Sequence, residues 1–211
     1  MRKAGFITLF VLSVGVAAYA VIGYSLAPLG ALVHPDMKAD FIAHPAGLYA
    51  HVFSAAFALL LGPLQFSTAL RRKYPKLHRW LGRLYLSLGV LIGGMSGLYI
   101  AQFAYGGWVA RTGFAALSLC WLITGWFAYR AIRRGAVAEH KKWMVRNFAL
   151  AFAAVMLRIY VPLFVIAGVP FATAYPIIAW LCWVPTVLVA EWWWNERVRT
   201  PTKIGSMPLK E

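Results

Sequence analysis

His78 and His140 stand 62 residues apart in two similar stretches, "LHRWLGRLYL" and "EHKKWMVRNF", and an arginine follows each, Arg83 or Arg146. Two neutral imidazoles on facing helices are what holds a b-type haem in a membrane bundle, and neighbouring arginines would neutralise its propionates. Gln65 and Glu191 fall at the same end of the chain's apolar segments. One set of candidate cofactor-binding residues is therefore Gln65, His78, Arg83, His140, Arg146 and Glu191. Two simpler roles compete. The histidines, with Trp80 and Trp143, would serve as interfacial anchors, and Glu191 would pair structurally with one of the cations.

A second set centres on Arg158, fourteen residues from the start of the apolar run near 144–168. At 1.5 Å of rise per residue it lies about 21 Å deep, and His51, about four residues into its own run from the other side, lies about 6 Å down. An arginine at that depth on a lone helix costs several kcal/mol unless it snorkels outward or faces a polar interior. Asn147, Ala151, Ala154 and Arg158 recur at near-fourfold spacing, which puts the arginine on the face that packs against other helices. The partners expected there are a tyrosine, His51, a carbonyl freed by Pro162, or a ligand oxygen such as that of a quinone. A fixed partner would make Arg158→Met costly.

A third set, His34, Asp36, His44 and His51, with Asp40 nearby, gathers imidazole and carboxylate in one connection, the ligand types of zinc or copper. No HxH or HxxxH spacing pins two of them to one helical face, which weakens that reading.

What positions these groups is a membrane bundle. The chain is 62% hydrophobic and 13% charged, about half the charge of a soluble domain. Apolar runs near 5–33, 47–70, 81–105, 111–130, 144–168 and 170–194 each match the roughly 20 residues that span about 30 Å of hydrocarbon. They are too long and unbroken for barrel strands. The expected fold is all-α, a six-helix transmembrane domain over 1–195 with a short basic tail over 196–211. The offset between His78 and His140 predicts that helices 2–3 and 4–5 form two parallel repeated hairpins. His51, Ala55, Ala58, Gly62 and Gln65, and likewise Gly89, Gly93, Gly97 and Ala101, make small-residue faces for close helix packing. "WWW" at 192–194 reads as an interfacial belt, and Cys120 and Cys182 as small core residues.

The net charge of +15 is asymmetric: of the 21 Lys and Arg, all but Lys38, Arg111 and Arg158 fall at the chain ends or in the 71–83 and 130–146 connections. This positive-inside pattern puts both termini in the cytoplasm and explains the charge by lipid contact, not nucleic acid. Met1-Arg2-Lys3 with "AYA" at 18–20 imitates a signal peptide, but the apolar run continues past it.

"HVFSAAFALLLGPLQF", "LHRWLGRLYL", "MSGLY", "HKKWMVRNFALAFAAVMLRIYVP" and "WLCWVPTVLVAE" together resemble a bacterial family of predicted polytopic membrane proteins catalogued as a domain of unknown function. The likeness covers roughly 45–192. It implies a bacterial inner-membrane protein and points to His51, Gln65, His78, Arg83, Tyr85, His140, Arg146, Arg158 and Glu191, without an activity. "HKKWMVR" stands where an arginine-rich version is expected, which keeps charge and loses the bidentate fork.

Three functions fit: a redox membrane protein holding haem b or a quinone, a small-solute transporter or channel, and a non-catalytic membrane accessory subunit. Lipid is the expected partner, joined by a second copy or another membrane subunit. No P-loop or dinucleotide fingerprint occurs, which sets nucleotide chemistry aside. Reporter fusions at Gly107 and Lys203 are expected to read outside and inside respectively; a periplasmic signal from Lys203 would overturn the orientation.

Overall fold

The computed structural model describes residues 3–199, with no strand among them. Six helices among the described residues are long and apolar enough to cross a membrane: α1 (Ala4–Leu26), α2 (Pro45–Gln65), α3 (Pro75–Ala101), α4 (Gly107–Arg133), α5 (Val137–Ile166) and α6 (Phe171–Asn195). The helix of α6 continues to Arg199, past the boundary expected at 195, and the rest of the expected tail, 200–211, lies outside the described residues.

Several boundaries differ from the hydropathy reading. α1 stops at Leu26 instead of running to 33, because Pro28 cannot continue the helix and Gly30 turns the chain at φ 84°. Beyond α2, Ser67 Oγ accepts from the Leu70 N–H and starts a separate short helix, Thr68–Lys73. α3 and α5 begin earlier than their apolar runs, at Pro75 and Val137. Their first turns are polar but helical, with Pro75 in the first turn of α3, where its missing N–H costs nothing. His78 and His140 consequently belong to the helices and do not precede them.

α2 and α4 start at Pro45 and Gly107, and α3 and α5 at Pro75 and Val137, so both pairs keep the offset of the two histidines. The four helices close a core through α2–α3, α3–α4, α4–α5 and α5–α2 contacts, while α1 lies on α2 and α5, and α6 on α4 and α5. Phe6, Ile7, Trp193 and Trp194 line one cavity, so the start of α1 and the end of α6 lie at the same end of the bundle.

At the centre, Tyr85 of α3 and Asn147 of α5, again 62 residues apart, meet: the Tyr85 hydroxyl donates to Asn147 Oδ1 at 2.8 Å. Asn147 Nδ2 donates to the Trp121 carbonyl at 2.8 Å and to Thr124 Oγ1 at 2.9 Å, both on α4. Tyr85 and Asn147 are fully buried. Both helices depart from α geometry next to this contact, α3 as a π-helical stretch over Tyr85–Leu91 and α5 as a break at Phe152. The glycine face of α3 does packing work. A Cβ on Gly89 would stand 3.0 Å from that of Ala58, one on Gly93 2.9 Å from the Trp121 ring, and one on Gly97 2.6 Å from Ser118 Oγ.

Tyr85→Phe leaves Asn147 Oδ1 short of a donor where no water can replace it and is expected to cost about 1–2 kcal/mol of stability in detergent unfolding. In an Asn147→Leu background the same change should cost almost nothing. Additive losses would show that the two side chains act separately.

Candidate functional site

Two cavities lie on either side of the Tyr85–Asn147 contact. The larger, about 1310 Å³, sits at the end of the bundle that carries the basic connections. Gln65, His78, Arg83 and His140 of the first sequence set line it; Arg146 and Glu191 do not. Those two pair with each other. Arg146 Nη2 donates to Glu191 Oε2 at 2.9 Å and its Nε donates to Oε1, making a two-point bridge from α5 to α6, and the guanidinium lies 4.4 Å from the Trp143 ring centre. Arg146 therefore has its anion inside the protein, whereas Arg83 faces the cavity.

His140 Nδ1 lies 2.9 Å from the Ala128 carbonyl. A carbonyl only accepts, so that nitrogen carries the proton and Nε2 keeps its lone pair. Such a backbone bond is how imidazoles that bind metals are oriented. His78 Nδ1 and Gln65 Nε2 are buried without a hydrogen-bond partner. Four cations not singled out from the sequence, Arg71, Arg79, Arg133 and Lys141, join Arg83 on the wall, and among the described residues no carboxylate does. In the sequence they registered only as part of the positive-inside pattern. Trp193 and Trp194 also line the cavity, so two residues of the expected belt form its wall instead.

The smaller cavity, about 190 Å³, lies at the opposite end. His51 and Arg158 both line it, as do His44 and Asp40. His51 Nδ1 lies 2.9 Å from the Gly93 carbonyl. Arg158 does not snorkel: its Nη1 donates back to the Ala154 carbonyl at 2.9 Å, one turn toward the middle of α5, and its guanidinium lies 5.6 Å from the Tyr19 ring centre. Its Nε is buried and unbonded, and among the described residues no carboxylate is within ion-pair distance of it.

The four metal candidates separate. His34 Nδ1 is 3.6 Å from Asp36 Oδ2 and its ring stacks on Phe171; His44 stacks on Phe103 and bonds the Tyr99 hydroxyl at 2.9 Å. Only His44 and His51 of that set reach the smaller cavity. Among the described residues no three His, Cys, Asp or Glu side chains group as metal ligands.

The family described as "Predicted membrane protein (DUF2306)" matches residues 48–194. The chain belongs to this family. The DUF2306 segment holds the whole repeat except the first turn of α2, and most of α6; α1 precedes it. It contains every residue named above on the larger cavity except Phe6 and Ile7, and it contains His51 and Arg158 of the smaller one. No curated protein and no solved structure matches the chain.

The fixed partner expected for Arg158 is thus only a carbonyl and an aromatic ring, which reverses the sign of the expected substitution effect. Arg158→Met removes a buried charge that no anion compensates and is expected to raise ligand-free stability by about 1–3 kcal/mol, while Arg158→Lys should not. Unfolding midpoints in detergent measure this; a destabilised Met variant would mean that Arg158 holds the bundle together.

Proposed function

We propose that the protein is a redox membrane protein that would hold haem b in the larger cavity through His78 and His140, with the basic end facing the cytoplasm of a bacterial inner membrane. The observation that carries the reading is the pair of imidazoles, at equivalent positions of the repeat, on one cavity whose wall has, among the described residues, five cations and no acid. The cavity exceeds the 300–1,000 Å³ or so of ordinary ligand sites, which suits a macrocycle with its propionates.

When bound, haem supplies reversible one-electron exchange. The chain's own residues do the rest. The Ala128 carbonyl holds the His140 Nδ1 proton and turns Nε2 outward as a ligand. His78 is half-buried on the same wall, and its Nδ1 has no hydrogen-bond partner within the protein. Arg71, Arg79, Arg83, Arg133 and Lys141 offer donors to carboxylates, and the unbonded Gln65 Nε2 adds another. Leu86, Val90, Leu91 and Leu122 give the apolar wall that excludes water from the ring.

Protein purified from cells supplied with haem precursor is expected to show a dithionite-reduced b-type spectrum that both His78→Ala and His140→Ala abolish, while Arg83→Met mainly weakens haem retention. Colourless protein that instead retains anionic phospholipid would sink the reading and assign the five cations to lipid headgroups. Coloured protein unaffected by either histidine substitution would sink the ligand assignment.

A further inference from the structure

The smaller cavity is built by the whole bundle: Tyr24 of α1, His51 of α2, Gly97 of α3, Ser118 of α4, Arg158 of α5 and Tyr175 of α6 all line it. A volume of about 190 Å³ equals the liquid share of about six waters, enough for one substituted six-membered ring and too little for a macrocycle. Most of the remaining wall is apolar or aromatic, with Phe41, Phe103, Phe114 and Leu157 among it.

Two polar groups on that wall have opposite needs. Arg158 is a donor with capacity to spare, since among the described residues only its Nη1 meets an acceptor, the Ala154 carbonyl, while Nε is buried and unbonded. His51 is the reverse. Its Nδ1 faces the Gly93 carbonyl and so carries the proton, which leaves Nε2 as an acceptor. A ligand that satisfies both must carry an oxygen that accepts from the guanidinium and a hydroxyl that donates to the imidazole, on a small flat apolar body. A free carboxylate supplies the first and lacks the second. A water cluster supplies both and wastes the apolar wall.

From this complementarity we infer that the smaller cavity binds the ring of a membrane quinol, one hydroxyl donating to His51 Nε2 and an oxygen accepting from Arg158. An oxidised quinone has acceptors alone and leaves the His51 lone pair unmatched, so the reduced ring binds more tightly than the oxidised one. The inference stands apart from the haem assignment, because it rests on the other cavity.

Duroquinol, the tetramethyl ring without a tail, is the probe, and the readout is the ligand-dependent rise of the unfolding midpoint in detergent. The assay reads stability and not colour, so it runs alike on haem-loaded and haem-free preparations. The parent protein is expected to show a saturable rise with duroquinol held reduced, and duroquinone, assayed without reductant so that it stays oxidised, is expected to bind at least tenfold more weakly. His51→Ala and Arg158→Met should each weaken duroquinol at least tenfold, and if one variant fails to fold the other decides. Overturning results are no rise in the parent, an equal rise with benzoate, which would mark a simple anion site, equal affinity for duroquinone, or undiminished affinity in both variants.

Discussion

A carboxamide with no access to solvent governs this bundle. Asn147 is fully buried and spends its side chain on three bonds to two other helices: an acceptor role toward Tyr85 on α3 and donor roles toward the Trp121 carbonyl and Thr124 hydroxyl on α4. Water is not available inside a bilayer to replace a lost partner, so sliding α3, α4 or α5 by one residue strands several polar atoms at once. Hydrophobicity cannot set that register, since lipid tails are as apolar as leucine. The glycine face of α3 then brings Gly89 against Ala58 and Gly93 against Trp121, and the bundle closes around the bonded centre. Each cavity lies where the helices run on past it.

Much of this was legible in the sequence. Hydropathy gave six spans because each crosses a layer of fixed thickness, and the offset of His78 and His140 gave the repeat. It also held the central contact, since Tyr85 and Asn147 share the offset, but Asn147 stood out only as one member of a small-residue face. The polar first turns of α3 and α5 escaped a hydropathy reading because their helicity lies in amphipathic spacing, not apolar content. Which arginine pairs internally was not readable: Arg83 and Arg146 look alike in sequence, and only packing puts Glu191 of α6 beside the second. The same holds for Trp193 and Trp194, whose composition says interface and whose position says cavity wall.

The two halves of the repeat are alike in scaffold and unlike in chemistry. Arg83 faces a cavity where Arg146 is neutralised by a carboxylate. His51 is matched, one repeat later, by Gly113, which packs against Ala179 and Trp180 instead of lining a cavity. Near-symmetry places two histidines at one end of the core; its loss at the other end leaves His51 and Arg158 on one cavity with no counterpart of His51 in the second half of the repeat.

α1 lies against the repeat on α2 and α5, with Ala17 and Ala20 packed among Leu48, Val52, Ala56 and Leu59 of α2 and Val155 of α5. Val155 emerges from the ribosome more than a hundred residues after Ala20. α1 therefore finishes its contacts only after α5 has been made. Until then its inner face, including the fully buried and unbonded hydroxyl of Ser13, lies against lipid or the insertion machinery. Both cavities take side chains from α1 (Phe6 and Ile7, or Tyr24) and from α6 (Trp193 and Trp194, or Tyr175), so neither is complete until both flanking helices have docked on the repeat.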